Sequence, residues 1–562
     1  MTAFGIDLGT TNSAIAHLVD GKPSLLSVDG DVLVPSVVAY EKEGVIVGRR
    51  ARNLELHQPL STIRSVKRKM GTDHVYAVHG RQVTPAQVSA EVLSALVTAA
   101  AESTGETLRE AVITVPAYFN DAQRKATLAA GELAGLHVLR LLNEPTSASL
   151  VYERVGQGRV SSSETELVLV YDLGGGTFDV SVLEVADEIR EVRATAGNTH
   201  LGGDDFDELL VAMFLESLGG AGSENLKEDP CVMARLRRAA EKAKIQLSTD
   251  TEVDVQEEFL AQGATGKPMH LNLTVGRRRF ESLIAKSLES TIDLAHKALD
   301  EAGIKAKDLS RVVLVGGSTR IPLCQQLLSE AFDTEIHQEV HPDQAVALGA
   351  AIQAGMLTGA NVDRILIDVA ARSLGVRVVG EYRDGDGFSV LIPRNTALPA
   401  ERAEEYYTVV EDQKAVSVDV YQGESSRASE NTEVGSFEFK LKPSPLSSPV
   451  RMAIAYDLNG MIKVSASQPG KTGEKIVSMP ISEASTQPSI QTQPKTKPSI
   501  VERKAATVLE QISGATKEEL DSLLGAYRRA PPEQRAEVEE ALLDFLHVHS
   551  DESVKPSKDA EC

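Results

Sequence analysis

Basic residues and long apolar runs are both scarce in this chain of 562 residues. It contains 58 Lys and Arg against 81 Asp and Glu, which gives a formal net charge of −23. Binding to nucleic acid or to an anionic membrane surface needs clustered basic residues, so we expect no nucleic acid and no membrane partner. The sequence contains no stretch of about 18 apolar residues, which a membrane-spanning helix would need. No secretion-type leader precedes the first strand at Phe4, and we therefore expect a cytoplasmic protein.

Cysteine is rare as well, with only Cys231, Cys324 and Cys562 in the chain. Their number is odd, and their spacing does not match that of metal ligands. The sequence therefore predicts neither a disulfide framework nor a zinc site.

The common nucleotide-binding fingerprints are also missing. The segment that ends in Gly470-Lys471-Thr472 has Ser465 where a P-loop requires glycine. The run GGGTFD has Asp179 where a dinucleotide-binding loop requires its last glycine. Neither a P-loop nor a Rossmann site is expected.

What the sequence does contain is one phrase written twice. "FGIDLGTTNSAIAHL" begins at Phe4 and "LVLVYDLGGGTFDVSVLE" begins at Leu167, and in both copies Asp-Leu-Gly joins two β-prone runs. Each copy predicts a β-hairpin with a glycine-rich turn. Successive N–H groups of such a turn can bind an anion, so two turns could hold a phosphate chain from both sides.

Acidic residues accumulate at these hairpins, namely Asp7, Asp172 and Asp179, together with Glu144 in "LLNEPTSAS". They would repel a polyphosphate, because two unit charges 4 Å apart interact by roughly 4 kcal/mol at an effective dielectric near 20. A divalent cation would remove that repulsion, and Asp suits Mg²⁺. A third glycine turn, in "RVVLVGGSTRIPL", precedes a helix predicted to begin at Pro322 and offers a further anion or ribose site.

Along the chain, alternating β-type runs and helices predict an α/β domain up to about residue 362. Helices are expected after Thr84, between Asn120 and Gly135, and over segments 233–249 and 280–302. Alternating apolar residues then predict an antiparallel β domain with a hairpin at Asn459-Gly460. The Pro-, Ser- and Thr-rich segment 483–499 predicts a flexible linker, and residues 500–562 return to helical periodicity.

Six motifs, GIDLGTTNS, AVITVPAYFNDAQRKAT, NEPT, DLGGGTFDVS, THLGGDDFD and VLVGGSTRIP, resemble those of the DnaK-type heat-shock chaperone family, in order over about residues 1–480. The resemblance implies a multidomain chain. Its parts would be an α/β actin-like ATPase domain with a duplicated core and two lobes (1–362), an apolar linker (363–374), an antiparallel β-sandwich that binds peptide (375–482) and a short α-helical tail. It also implies ATP or ADP with Mg²⁺ as cofactors, and K⁺ is a further candidate ion.

The same resemblance assigns roles in the ATPase domain. Lys67 would approach the γ-phosphate and the attacking water, Asp7 and Asp172 would hold the metal through water, and Glu144 and Asp179 would orient water. Thr177 is counted with the catalytic and the phosphate-binding residues. The remaining nucleotide positions are Gly9, Thr10, Thr11, Asn12, Gly175, Gly176, Gly202, Gly203, Glu241, Lys244, Ser248, Gly316, Gly317, Ser318, Arg320 and Asp343.

Coupling between the domains is implied for Pro116, Arg124, Arg140 and Asp368, and Arg140 with Asn143 resembles part of a J-domain co-chaperone contact. The partners implied are unfolded or extended apolar polypeptide segments, a J-domain co-chaperone and a nucleotide exchange factor. The peptide-binding positions are Val376, Val379, Tyr407, Val410, Val416 and Val418.

At three places the sequence departs from the family pattern, and these departures limit which family properties are expected of this chain. Val379 and Val410 stand where methionine and alanine usually arch over the peptide, so substrate preference is not transferred. The linker reads AAR at 370–372 where Thr-Pro-Leu is usual, so the coupling is expected to differ in strength. After Ile481 a short tail replaces the long helical lid, as in HscC-type members, and we expect weak, rapidly exchanging peptide binding.

Three other functions remain open on the sequence. A sugar or glycerol kinase shares the ATPase architecture but would need a sugar pocket between the lobes. A non-hydrolysing nucleotide sensor or scaffold has no use for Lys67, Glu144 and Asp179. A filament-forming actin relative leaves the linker and the β domain without a role.

Overall fold

The computed structural model describes residues 3–105, 109–152, 165–186, 188–219, 226–262, 267–337, 341–360, 364–379, 385–469 and 474–478. Residues 1–482 form one compact unit and residues 483–562 a second. The predicted flexible linker and helical tail both belong to the second unit and lie outside the described residues. None of the helices in the described segments is long and apolar enough to cross a membrane.

A mixed six-stranded sheet forms the centre of the N-terminal part of the chain. Its strands are β1 (Phe4–Asp7), β2 (Asn12–Val19), β3 (Lys22–Leu25), β4 (Val34–Pro35), β10 (Glu110–Val115) and β11 (His137–Asn143). Their order is β11-β10-β1-β2-β3, with β4 paired to β2. β1 is antiparallel to β2 and parallel to β10, which in turn is parallel to β11.

A second six-stranded sheet repeats this arrangement. Its strands are β12 (Glu166–Leu173), β13 (Phe178–Ala186), β14 (Ile189–Asn198), β17 (Arg311–Val315), β18 (Ile336–His337) and β19 (Ile365–Ile367). The order is β18-β17-β12-β13-β14-β19, in which β12 is antiparallel to β13 and parallel to β17. The two Asp-Leu-Gly phrases are therefore equivalent hairpins at the centres of two sheets, as the duplicated sequence predicts.

The described chain also contains smaller sheets. A three-stranded sheet consists of β5 (Val38–Tyr40), β6 (Val45–Val47) and β7 (Thr62–Ile63). Two hairpins are formed by β8 (Tyr76–Val78) with β9 (Arg81–Val83) and by β15 (Glu252–Gln262) with β16 (Pro268–Gly276).

Nine α-helices occur in the described residues. They are α1 (Arg49–Leu54), α2 (Pro85–Thr104), α3 (Asp121–Leu133), α4 (Glu144–Ser149), α5 (Gly203–Leu218), α6 (Pro230–Leu247), α7 (Arg277–Ala302), α8 (Pro322–Ala331) and α9 (Ala345–Leu357). The predicted helices match α2, α3, α6, α7 and α8. Local chemistry explains where two of them begin, since Thr84 with Gln87 and Asn120 with Gln123 form capping boxes that satisfy the first N–H groups.

Helix α9 connects the two central sheets, and its small residues allow this. Ala347 and Ala351 pack with alanines of β2, whereas Ala345 and Val346 pack with valines of β12 and β17. At Gly349 a Cβ atom would lie 1.8 Å from the carbonyl oxygen of Ser147 in α4. Only glycine permits so close an approach of two backbones.

The C-terminal part of the described chain is an all-β domain with two antiparallel four-stranded sheets. One contains β20 (Leu374–Val378), β21 (Gly387–Ile392), β23 (Ala415–Gln422) and β24 (Thr432–Lys440); the other contains β22 (Ala400–Tyr407), β25 (Pro449–Tyr456), β26 (Ile462–Ser467) and β27 (Glu474–Ser478). Apolar residues of both sheets form one core, for example Val420, Ile454 and Val464. The predicted hairpin is confirmed: β25 and β26 flank Asn459-Gly460.

Replacing Gly349 by alanine should destabilise the protein, because the added methyl group overlaps the α4 backbone. Overpacking of this kind costs about 1–3 kcal/mol, so we expect a lower melting temperature for Gly349→Ala in thermal unfolding. Gly44→Ala is the matched control, since a Cβ atom there meets nothing within 4 Å. Equal melting temperatures for the two variants would contradict the proposed helix contact.

Candidate functional site

A cavity of about 580 Å³ opens where the two hairpin turns and the third glycine turn meet. Eighteen of the residues assigned to nucleotide or metal line it: Asp7, Gly9, Thr10, Thr11, Asn12, Lys67, Glu144, Asp172, Gly175, Thr177, Glu241, Lys244, Ser248, Gly316, Gly317, Ser318, Arg320 and Asp343. Residues from both sheets are thus brought together around one space.

The two hairpin turns touch each other, and their glycines make this contact sterically possible. A Cβ atom at Gly175 would lie 1.9 Å from Oγ1 of Thr11, and one at Gly176 would lie 2.6 Å from Cγ2 of Thr10. The Thr11 hydroxyl is buried and makes no hydrogen bond within the described part of the chain. Because buried hydroxyls usually have partners, this group is available to a ligand in the cavity.

Lys67 provides a buried ammonium group at the base of the cavity. It belongs to the 3₁₀ helix Val66–Lys69, and its Nζ donates a hydrogen bond to Oε1 of Glu144, the first residue of α4. The ring of Phe119 lies 5.9 Å from the same Nζ. Both charged side chains are almost fully buried, so their attraction is weakly screened by water.

The carboxylates around Lys67 carry more negative charge than one ammonium group can balance. Burial, followed by the charge of Glu144, raises the pKa of Asp7 to about 7 and that of Asp179 to about 7. Burial and the neighbouring carboxylates raise the pKa of Asp172 well above its usual range. The cluster therefore favours an additional cation, and oxygen ligands of this type suit Mg²⁺.

No three acidic, histidine or cysteine side chains in the described segments are close enough to ligate a metal ion directly. Asp7 and Asp172 face the cavity from equivalent positions at the ends of β1 and β12. Mg²⁺ commonly keeps several waters and takes further oxygens from phosphate, so two carboxylates that act through water fit this ion.

Four assigned residues, namely Asp179, Gly176, Gly202 and Gly203, are not among those that line the cavity. Asp179 accepts a hydrogen bond from the backbone N–H of Tyr118 (3.1 Å) and is buried beside Glu144 and Lys67. Gly176, Gly202 and Gly203 support the second turn: a Cβ atom at Gly202 would lie 2.5 Å from the carbonyl carbon of Gly175. Glycine at these three positions lets the backbones around the second turn pack closely.

The outer end of the cavity is polar and is held by α6. Nζ of Lys244 donates to Oδ2 of Asp207 (2.8 Å), while Oε2 of Glu241 accepts from Arg52 (2.6 Å). Burial raises the pKa of Asp207 to about 6, and the Lys244 charge opposes this rise. Across the opening, Nη2 of Arg320 donates to Oδ2 of Asp343 (3.2 Å).

Several lining residues could not be recognised from motifs. Leu33, Ile245, Ile321 and Val346 provide an apolar surface in the cavity. The only sequence signal for Ile245 is its position in the segment AAEKAKIQLS. There it lies between two residues assigned to the nucleotide, Lys244 on the same helix and Ser248 at the end of that helix. Asp207 holds the ammonium group of Lys244, and the only sequence signal for it is its position in the motif THLGGDDFD.

A buried polar network joins the site to the β domain. Nη2 of Arg124 donates to Oδ1 of Asn143 (2.8 Å), and Nδ2 of Asn143 donates to Oδ2 of Asp368 (2.9 Å). Nη1 of Arg124 also donates to the carbonyl of Asn459 in the β25–β26 turn (3.3 Å). Burial lowers the pKa of Arg124, and the Asp368 charge opposes that shift.

The other two coupling residues lie close to this network. The carbonyl of Pro116 accepts from the N–H of Phe119 (3.2 Å), which closes the turn before α3. Arg140 is buried on β11, its Nε makes no hydrogen bond within the described residues, and the negative charge of Asp368 acts on it.

The assigned peptide positions fall into two groups. Val376 and Val418 are buried in the core of the β domain, and Val416 packs against that core. Val379, Tyr407 and Val410 are 76%, 58% and 54% exposed, so these three offer apolar surface to a ligand. Val409, which is 63% exposed beside Val410, belongs to the same surface and was not recognised from the sequence.

Comparison with known proteins agrees with the geometry. A family model described as "Hsp70 protein" matches residues 3–555. The chaperone protein DnaK of Thermotoga neapolitana is 44% identical over 480 residues, which cover 84% of this chain and 79% of the relative. The DnaK proteins of Thermotoga petrophila and Thermotoga maritima show the same identity and coverage. The matches do not favour a metabolic kinase; this chain belongs to the Hsp70 family of ATP-hydrolysing chaperones.

Proposed function

We propose that the nucleotide is held between the two hairpin turns of an actin-like ATPase domain, with the roles assigned above to individual residues. The observation that carries this proposal is the contact of the two turns, at Thr11 and Gly175, beside a buried ammonium group among carboxylates. Phosphoryl transfer to water needs mainly positioning and charge stabilisation, which N–H groups of the turns, Lys67 and a metal ion supply together.

Mg²⁺ would be held at Asp7 and Asp172 through water, where it would neutralise charge on the phosphates. Lys67 would stabilise the γ-phosphate, and its ion pair with Glu144 would fix the direction of its ammonium group. Glu144 and Asp179 would accept hydrogen bonds from the attacking water. We retain K⁺ only as a candidate further ion.

The β domain would bind extended apolar polypeptide segments, and the state of the nucleotide would control this binding. Support for the coupling comes from the buried chain of contacts through Arg124, Asn143 and Asp368. Val379, Tyr407 and Val410 are the exposed apolar residues that would meet the peptide.

J-domain co-chaperones and a nucleotide exchange factor are the expected protein partners. Arg140 and Asn143, both buried, are proposed as part of the contact for a J-domain. The expectation of a cytoplasmic location stays a prediction from the sequence.

Lys67→Ala should abolish most ATP hydrolysis, because it removes the single ammonium group at the reacting phosphate. We expect phosphate release in single-turnover experiments to fall by about 100-fold or more, with ATP affinity changed far less. Lys69→Ala is the control, since Lys69 lies in the same 3₁₀ helix and is exposed. Unchanged turnover in Lys67→Ala would favour a non-hydrolysing scaffold.

Asp368→Ala should uncouple the domains, since it removes the acceptor for Asn143 and leaves a buried amide without its partner, a loss of about 1–3 kcal/mol. We expect basal ATP hydrolysis to persist, whereas stimulation by an apolar peptide is lost. Phosphate release with and without peptide measures both. The exposed Asp308→Ala serves as the control, and full stimulation in Asp368→Ala would exclude a coupling role.

A further inference from the structure

We propose that Arg372, in the segment that joins the ATPase domain to the β domain, is a positioning residue for ATP hydrolysis that acts on Asp179 through Tyr118. This inference rests on the proposed role of Asp179 and extends it, because it names the linker side chain that sets the position of that carboxylate. Arg372 stands where the family resemblance leads one to expect leucine, so the contact is a feature of this chain.

The first step is the contact between the linker and Tyr118. The guanidinium carbon of Arg372 lies 4.3 Å from the centre of the Tyr118 ring, and its Nη2 donates to the Tyr118 carbonyl oxygen at 3.4 Å. Guanidinium groups stack on aromatic rings in this way, and the attraction grows when water is excluded. The Nε of Arg372 is buried and makes no hydrogen bond to any described residue, so the hydrogen bond that ties this guanidinium group to Tyr118 is the one from Nη2.

The second step leads from Tyr118 into the hydrolysis site. Its backbone N–H donates to Oδ1 of Asp179 at 3.1 Å, and the next residue, Phe119, places its ring 5.9 Å from Nζ of Lys67. Residues 118 and 119 therefore contact two of the groups assigned to hydrolysis. A displacement of this segment moves the donor that orients the Asp179 carboxylate.

Tight packing makes such a displacement consequential. A Cβ atom at Gly197 would lie 2.7 Å from Oδ1 of Asp179 and 3.1 Å from Cβ of Tyr118, so β14 presses directly against both residues. On this side, the close contact with β14 restricts movement of both residues. A small misplacement of a reacting group slows a reaction strongly. The contact between Arg372 and Tyr118 therefore affects the rate of ATP hydrolysis.

The test uses the full chain with Arg372→Met and Arg372→Lys. For Arg372→Met we expect the single-turnover rate of ATP hydrolysis to fall by about fivefold, as loss of one such interaction predicts, with the ATP dissociation constant from calorimetry within about twofold of wild type. Arg372→Lys should be intermediate, because an ammonium keeps the charge but cannot stack as a plane. An unchanged or faster rate in Arg372→Met would overturn the proposal. If Arg372→Met fails to fold, Arg372→Lys alone decides, with a slower rate expected.

A double-mutant cycle separates positioning from simple domain adhesion. In a Tyr118→Ala background the effect of Arg372→Met should shrink, because the ring on which Arg372 stacks is gone and only the hydrogen bond to the backbone carbonyl of residue 118 is left for the second substitution to remove. Arg394→Met is the matched control: it breaks another contact between the same domains, the 2.7 Å ion pair with Glu301, and neither stacks on Tyr118 nor donates to its backbone, so it should leave the rate within about twofold of wild type. Additive effects, or equal slowing by Arg394→Met, would overturn the proposal. Absence of hydrolysis in the wild-type chain would contradict the ATPase function instead.

Discussion

Lys67 and Glu144 form a buried ion pair in a cleft that also holds the carboxylates of Asp7, Asp172 and Asp179. So much negative charge in a poorly hydrated place is unfavourable unless cations offset it, and one ammonium group does not suffice. This constraint explains why the pKa values of the three aspartates are raised. Under the proposed function, Mg²⁺ with its nucleotide would complete a site of this charge, so binding would change the electrostatics of the whole cleft.

The same cleft is mechanically continuous with the β domain. The backbone of residues 116–119, which borders the site, leads into α3, and α3 carries Arg124 to the buried contacts with Asn143 and the β25–β26 turn. The linker adds a second route, through the stacking of Arg372 on Tyr118. Under the proposed function, a change of charge at the phosphates would have two short, densely packed paths to the peptide-binding surface. In the opposite direction, the linker would influence the proposed hydrolysis site.

Helix α9 supplies the framework within which these contacts exist. Its alanines and glycines let it pack closely on both central sheets, so that the two hairpin turns meet within van der Waals distance. Small residues bury little apolar area each, but they allow backbones to approach and so define a narrow geometry. The site depends on this geometry because neither turn alone encloses a phosphate chain.

The sequence by itself determined the repeated hairpins, the capped helices at Thr84 and Asn120, the β hairpin at Asn459-Gly460 and the acids of the site, because turns, caps and alternation are local properties of the chain. Tertiary structure alone decided which acids share one cavity, that the backbone N–H of Tyr118 donates to Asp179, and that apolar residues such as Leu33 line the cavity. It also decided that Val376 and Val418 face the core, whereas Val409 is exposed. These outcomes depend on contacts between residues far apart in sequence, whose energies no local pattern encodes.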